Sequence, residues 1–314
     1  MSKAVFHRKE LQSAALHLGS LDIDLGDYAT TGIRVVAVGP SGSGKTNAAL
    51  VCAEQLSEQG WVSVVVSPEG EIDNFYGEPV TTVADLIERL RLRDRPILVV
   101  VAKTPGDFVP FGEAIMEAAD LYRKPIFLAI DEAQIFSSSK KRSESVGDSS
   151  DILNDILGRG RKRALDVFMT AHSNSASLHR TVFSLSNLKL IGTQEDPKAW
   201  SALAPQFRGT SIGFQDLAAL APGEFFCFSR RGVEKVVMAM STALSKVAPR
   251  ARRVKPVLPS TFTQWDRALR AIPTARLQRL DPEMVSLLAT VAALTPAQIS
   301  SGGRAMVDEL AARP

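Results

Sequence analysis

The sequence predicts an α/β fold, a doubly wound and mainly parallel sheet with helices on both faces. Two observations lead to this prediction. Continuous apolar runs alternate with helical segments between residues 31 and 240, as in parallel strands that are buried on both faces. A glycine-rich segment, residues 39–46, lies where the first of these runs passes into a helix. Ligands of such sheets bind at the carboxyl ends of the strands, so we expect a site there.

The individual elements follow from apolar periodicity and from turn residues. Strands are expected at residues 33–38, 62–67, 97–102, 126–130, 167–171 and 188–191. Helices are expected at residues 47–56, 83–92, 113–122 and 152–163. The last two strands, 225–228 and 233–240, are predicted to form a hairpin through the Ser-Arg-Arg-Gly turn at 229–232.

The flanking sequence differs in character from this α/β domain, which spans residues 31–240. Residues 1–30 have no strong period, and we expect an N-terminal extension that packs on the main domain. Residues 241–260 combine prolines with cations and predict a basic linker, and residues 261–314 predict a small helical tail. The linker cations are Lys246, Arg250, Arg252, Arg253 and Lys255.

Composition narrows the class of protein. The chain has 314 residues, of which 45% are hydrophobic and 23% charged, as in soluble globular proteins. A net charge of +3 is only mildly basic, so any nucleic-acid binding must depend on local clusters. Cys52 and Cys227 are expected to be buried thiols rather than a bridge. With no run of about 18 apolar residues and no signal-peptide pattern, we expect a cytoplasmic protein without a transmembrane segment.

The glycine-rich segment matches the phosphate-loop (Walker A) pattern G-x-x-x-x-G-K-[ST] in full. Its glycines let the backbone approach phosphate, and amides at the helix N-terminus face the anion. Lys45 is expected to reach the β and γ phosphates of ATP, and Thr46 to ligate Mg²⁺. The alternative is a chance glycine-rich turn. The nucleotide-binding residues are predicted to be Gly39, Pro40, Ser41, Gly42, Ser43, Gly44, Lys45 and Thr46.

The strand at 126–130 ends in two adjacent carboxylates, Asp131 and Glu132. An apolar strand that ends in Asp is the Walker B arrangement, so we expect Asp131 to hold Mg²⁺ alongside Thr46. Glu132 is predicted to polarise the attacking water as general base, which favours hydrolysis over transfer. The alternative is a strand that ends in two acids by chance.

Two further candidates lie near the next strand. His172 is expected to sense the γ phosphate, with Thr170 as second choice, although a lone histidine is more often structural. Residues 158–163, Gly-Arg-Gly-Arg-Lys-Arg, could supply an arginine that enters a neighbouring subunit's site. Alternatively, these cations cap a helix end and solvate the surface.

The order of these features resembles the HerA–FtsK superfamily of hexameric DNA-pumping ATPases. The resemblance covers about residues 32–240. Segment 68–71 (Pro-Glu-Gly-Glu) is similar to that group's D-P-x-G-E element, and segment 160–164 (Gly-Arg-Lys-Arg-Ala) to its G-R-K-x-G signature. Residues 182–196 are similar to the stretch after its sensor, and residues 220–225 to its L-x-P-G-E turn. The chain departs from the family at 171–173, where Ala-His-Ser replaces Thr-Gln-Arg.

The resemblance implies a RecA-like P-loop ATPase core that assembles into a homo-oligomeric ring, a hexamer, with Arg161 as the trans-acting finger. The phosphate loop begins at Gly39, which leaves no room for the membrane helices or the barrel of some members. The chain is therefore most similar to genome-packaging ATPases of membrane-containing, double-jelly-roll viruses. Capsid or portal-vertex proteins are the partners that this implies.

A ring that moves double-stranded DNA needs cations that contact the backbone without reading sequence. The polar segment 137–150 carries Lys140, Lys141 and Arg142 and is interpreted as a pore loop or, equally, as a solvated surface loop. The linker cations either touch DNA or keep a spacer extended.

Two alternatives to a packaging motor remain open. The first is a DNA-pumping ATPase of conjugation or repair. The second is a nucleotide-switched assembly protein that is not a motor. A small-molecule kinase is disfavoured because no acceptor-binding lid is evident.

Overall fold

The computed structural model describes residues 15–70, 72–122, 125–137, 144–172 and 180–245, and for Arg161 and Arg180 only the backbone. The predicted helical tail, most of the predicted linker and the cations Lys140, Lys141 and Arg142 lie outside the described residues. Among the described residues, the structure has no helix with the length and apolar character needed to cross a membrane.

The core is an eight-stranded sheet in the order β10-β9-β8-β3-β7-β6-β4-β5. The strands from β3 to β8 pair in parallel, and β9 and β10 pair antiparallel at one edge. This confirms the predicted doubly wound, mainly parallel sheet and its terminal hairpin. The strands are β3 (Arg34–Gly39), β4 (Val62–Ser67), β5 (Ile97–Val101), β6 (Ile126–Ile130), β7 (Leu165–His172), β8 (Leu188–Ile191), β9 (Glu224–Ser229) and β10 (Gly232–Val237).

Helices cover both faces of the sheet because alternate strand residues enter two separate cores. Val36 and Val38 of β3 belong to the core that includes Leu86, whereas Val35 and Ala37 belong to the core that includes Leu50. The helices are α1 (Lys45–Glu58), α2 (Val83–Leu92), α3 (Pro105–Tyr122), α4 (Glu144–Arg159), α5 (Arg180–Leu185), α6 (Pro197–Leu203), α7 (Phe214–Ala218) and α8 (Thr242–Ser245).

Two predicted helices begin eight residues earlier than expected. Helix α3 begins at Pro105 rather than at residue 113, because Thr104 and Asp107 exchange side-chain-to-backbone hydrogen bonds of 2.9 and 3.2 Å that cap its first turn. Helix α4 begins at Glu144, so half of the predicted polar loop 137–150 is helical. Its serine-rich first turns form a helix because Val146 and Ser149 are buried on one side. After Arg159, residues 160–163 form a 3-10 turn.

A small hairpin, β1 (Ala15–Leu18) and β2 (Leu21–Asp24), packs its apolar side on α1. The backbone of His17 exchanges hydrogen bonds of 2.7 and 2.9 Å with the Gln55 side chain, and Ala15 pairs likewise with Gln59. The side-chain amides of Gln55 and Gln59 thus satisfy the β1 backbone groups that a neighbouring strand would otherwise bond. Both cysteines are buried free thiols.

Helix α1 also holds the segment that follows β10. The Asn47 side chain donates to the carbonyl of Ala239 at 2.7 Å and accepts from the backbone of Ser241 at 2.8 Å. Two turns later, the Glu54 carboxylate accepts bonds from the backbone and hydroxyl of Thr242, from the backbone of Ala243 and from the Tyr76 hydroxyl. Burial raises the pKa of Glu54, but these four hydrogen bonds outweigh it and hold the pKa below its usual value.

Glu54→Gln should destabilise the protein at pH 7, because an amide oxygen replaces a charged acceptor of four hydrogen bonds. We expect a loss of roughly 1–3 kcal/mol in urea unfolding. A carboxylate whose pKa is lower in the folded state than in the unfolded state stabilises the fold above its unfolded-state pKa. That stabilisation is lost as the pH falls through the folded-state pKa. The difference from wild type should therefore shrink on acidification. Glu58→Gln, at an exposed site on the same helix, is the control, and an equal loss there would contradict the assignment.

Candidate nucleotide site

The phosphate loop connects the end of β3 to the start of α1, as its sequence predicts. Gly44 adopts φ +94°, a left-handed conformation that suits glycine. The Lys45 ammonium donates to the Pro40 carbonyl at 2.8 Å, and only 4% of the residue is exposed. Burial lowers the pKa of Lys45, while the nearby carboxylates of Glu132 and Asp131 oppose that shift. A buried cation in such a loop fits an anionic ligand.

Ser43 supplies a second indication that the loop fits phosphate. Its hydroxyl is buried and has no hydrogen-bond partner within the described residues. A Cβ added to Gly39 would lie 2.7 Å from this hydroxyl, so a larger residue at position 39 would displace the hydroxyl. Unsatisfied buried hydroxyls are uncommon, and phosphate oxygens are suitable acceptors for this one.

Thr46 and Asp131 come together at the start of α1. The Thr46 hydroxyl lies 3.1 Å from both oxygens of the Asp131 carboxylate. Thr170 donates to the same carboxylate at 2.5 Å from the next strand. Hydroxyl and carboxylate oxygens are the ligands that Mg²⁺ prefers, so Thr46 and Asp131 fit the predicted metal role.

Glu132 is held in an unusual backbone conformation, φ +50°, which non-glycine residues rarely adopt. Its N–H donates to the Thr170 hydroxyl at 2.9 Å. Its carboxylate oxygen Oε1 lies 3.1 Å from Nε2 of His172, and Oε2 accepts from the side-chain amide of Gln134. The carboxylate is only 17% exposed. Backbone strain of this kind concentrates at functional sites.

The sheet order explains why these residues meet. Strand β7 lies between β3 and β6, and Gly39 pairs in register with His172. Strand β7 thus separates the strand before the phosphate loop from the strand that ends in the Walker B pair. The structure thus places Thr170 and His172 beside the Walker B pair, although His172 is bonded to Glu132 and its role as a phosphate sensor stays a prediction.

Arg161 lies at the other end of the sheet. Its 3-10 turn precedes β7, and the site lies after β7, whose eight residues span roughly 25 Å. The neighbouring arginines are engaged within the chain, since Arg159 pairs with Asp155 at 2.9 Å and Arg163 with Asp120 at 2.7 Å. Arg161 is therefore too far from the site of its own chain to reach it, and its role in a neighbouring subunit stays a prediction.

One contributor to the site was not predicted as such. The Gly223 N–H donates to the Ser43 carbonyl at 2.9 Å, and the Gly223 carbonyl accepts from Met238 at 2.9 Å. A Cβ added to Gly44 would lie 3.0 Å from the Gly223 backbone. The turn before β9 thus braces the phosphate loop. The Pro-Gly pair at 222–223 was the available signal, but nothing in the sequence placed it against residues 43 and 44.

Gly223→Ala should weaken nucleotide binding more than it weakens the fold. Gly223 has φ +86°, where an alanine is strained by about 1–2 kcal/mol. Because Gly223 bonds Ser43 of the phosphate loop, this strain should distort the loop and raise the ATP dissociation constant about tenfold. Gly209→Ala is the matched control, because Gly209 has φ +83° and open space around it. Calorimetric titration measures the ATP affinity, and thermal melts measure the stability of the fold. Equal ATP affinity in the two variants would contradict the role of Gly223 in supporting the phosphate loop.

Comparison with known proteins supports the same fold. No family model matches the sequence, and no curated protein matches it. Among solved structures, the genome packaging NTPase B204 from Sulfolobus turreted icosahedral virus 2, in complex with sulfate, is 16% identical, with a TM-score of 0.52 over 67% of this chain and 98% of that one. The pCW3 conjugation coupling protein TcpA, with ATPγS, is 13% identical, with a TM-score of 0.54 over 74% and 68%.

VirB4 of Thermoanaerobacter pseudethanolicus is 12% identical, with a TM-score of 0.52 over 70% of this chain and 91% of that one. At these identities the likeness is one of fold. The sequence resemblance predicted structural relatives of this kind. The chain has the RecA-like fold of P-loop ATPases that its motif order predicts.

Proposed function

We propose that this protein is an ATPase that forms a ring and couples ATP hydrolysis to movement of double-stranded DNA. The observation that carries the proposal is the single hydrogen-bonded network of Thr46, Asp131, Thr170 and Glu132 beside the buried Lys45. This arrangement brings a phosphate-binding cation, a metal-binding oxygen pair and a candidate base to the carboxyl ends of adjacent strands.

In the hydrolytic step, a water oxygen attacks the γ phosphorus, and the bond from that phosphorus to the β–γ bridging oxygen breaks, which yields ADP and phosphate. The Glu132 carboxylate accepts the proton of the water. Lys45 holds the β and γ phosphates. Thr46 and Asp131 would bind Mg²⁺, which when bound supplies charge neutralisation for the phosphate oxygens.

We limit the proposed DNA contact to the first half of segment 137–150, because α4 occupies the second half. Helix α4 carries acidic side chains at i, i+4, i+7 and i+11 spacing, and all of them are exposed. They would repel DNA phosphates, so we assign the contact to Lys140, Lys141 and Arg142, which precede the helix in the chain. Such contacts bind the backbone without sequence specificity. The acidic residues are Glu144, Asp148, Asp151 and Asp155.

Viral genome packaging is the biological role that we favour, in a homo-hexamer that works in the host cytoplasm with capsid or portal-vertex proteins. The likeness to B204, which covers 98% of that chain, supports this choice. The likenesses to TcpA and VirB4 favour the alternative of DNA transfer in conjugation. Capsid genes beside this one would support packaging, and a relaxase gene would support conjugation. A nucleotide-switched assembly protein would show turnover that ignores DNA.

Glu132→Gln should lower kcat by about 10²- to 10⁴-fold, because loss of a general base costs this much, while ATP binding is retained. Phosphate release measured with and without duplex DNA tests both parts of the proposal. Glu117→Gln, an exposed site on α3, is the control. Unchanged turnover in Glu132→Gln would remove this residue from the mechanism, and wild-type turnover that does not respond to DNA would refute the motor.

Arg161→Ala should lose turnover on its own and regain part of it when mixed with Glu132→Gln, because the two defects then fall in different sites. If Arg161 acts in the next subunit's site, a mixed ring contains sites that combine Glu132 of an Arg161→Ala protomer with Arg161 of a Glu132→Gln protomer. An arginine finger contributes about 10³- to 10⁵-fold to turnover, so the recovered phosphate release is measurable. Lys162→Ala, the exposed neighbour, is the control and should keep wild-type turnover, and a mixture without recovery would contradict action in trans.

A further inference from the structure

Gln134 follows the Walker B pair and has no assigned role. It lies in the short 3-10 turn Ala133–Ile135, which the left-handed residue Glu132 opens. Behind this turn, Phe136 is fully buried and packs on Phe108 with ring centroids 4.8 Å apart. The Phe136 carbonyl also accepts from the Ser149 hydroxyl of α4 at 2.8 Å. The backbone that carries Gln134 is therefore fixed by the core.

The Gln134 amide bonds at both of its ends. Its nitrogen donates to Oε2 of Glu132, and its oxygen accepts from the backbone N–H of His172 at 3.3 Å. That N–H belongs to the last residue of β7, so the amide bridges the sensor strand and the candidate base. An amide bonded at both ends has one favourable orientation, since only its NH₂ group can donate.

The second oxygen of Glu132 is bonded as well, to Nε2 of His172 at 3.1 Å. With both oxygens held, the carboxylate has little freedom to rotate. It is held close to the phosphate loop, because the preceding residue, Asp131, lies 3.1 Å from the Thr46 hydroxyl. Each carboxylate oxygen has a further lone pair, so a bonded oxygen can still accept a proton from water.

We propose that Gln134 is a positioning residue that, together with His172, holds the Glu132 carboxylate in the orientation needed to activate water. This inference depends on the proposed hydrolytic function. Gln134 does not touch the nucleotide in this scheme and acts only through Glu132. Misplacement of a reacting group by about 1 Å costs about 10²-fold in rate, which sets the scale of the expected effect.

The test is a double-mutant cycle on the full-length protein, with kcat and KM for ATP measured by phosphate release. Gln134→Ala should lower kcat about 10- to 100-fold with KM essentially unchanged. Gln134→Glu keeps the size of the side chain but replaces the donor with a second carboxylate, so it should lose at least as much. Gln215→Ala, at an exposed position on α7, should match wild type. In the Glu132→Gln background, Gln134→Ala should cause no further loss.

Each other outcome overturns the inference. Retained kcat in Gln134→Ala means that the carboxylate needs no such support. Wild-type kcat in Gln134→Glu means that packing, not donation, is what matters. An equal loss in the Glu132→Gln background means that Gln134 acts independently of Glu132, and a raised KM with retained kcat means that it contacts the nucleotide. If Glu132→Gln alone leaves turnover intact, the general-base role of Glu132 fails. If the wild-type protein does not hydrolyse ATP, the proposed function itself fails, and both results are distinguishable from a failure at Gln134.

Discussion

The hydroxyl of Thr170 is the point on which the site depends. It is completely buried, donates to Asp131 at 2.5 Å and accepts from the Glu132 backbone at 2.9 Å. A hydroxyl can do both at once, and here it joins the ends of two neighbouring strands. The left-handed backbone at Glu132 is held by the hydrogen bond from its N–H to Thr170 and by the 3-10 turn that follows it.

Helix α1 connects this site to regions far from it in sequence. Its first turn carries Thr46, Asn47 binds the segment after β10, and Glu54 binds the start of α8. Gly223 adds a contact between the last hairpin and the phosphate loop. A displacement of the phosphate loop and α1 would therefore also displace residues 223 and 238–243, which they contact. This is a physical route from the nucleotide to the segment from which the C-terminal region departs.

Most of the sheet could be predicted from the sequence because its central strands are apolar on both faces. Strands β4, β6 and β8 have the predicted limits, and β3 differs by one residue at each end. The phosphate loop and the two acids could be placed because each motif is local and the carboxyl ends of parallel strands share one edge. The roles assigned to these residues remain predictions that the experiments above address.

Other features depend on contacts that a single sequence does not display. Helices α5, α6 and α7 have seven residues or fewer, too short for a clear period. The helical first turns of α4 were interpreted as loop because serine and aspartate dominate them. Gln134 and Gly223 were missed because the backbone groups of His172 and Ser43 that they bond lie far from them in the sequence.

The glutamine contacts of α1 have a consequence for the assembly of copies. A strand whose backbone groups are free can template the addition of another chain. Gln55 and Gln59 occupy the backbone groups of His17 and Ala15, which makes this border of the molecule a poor seed for edge-to-edge aggregation.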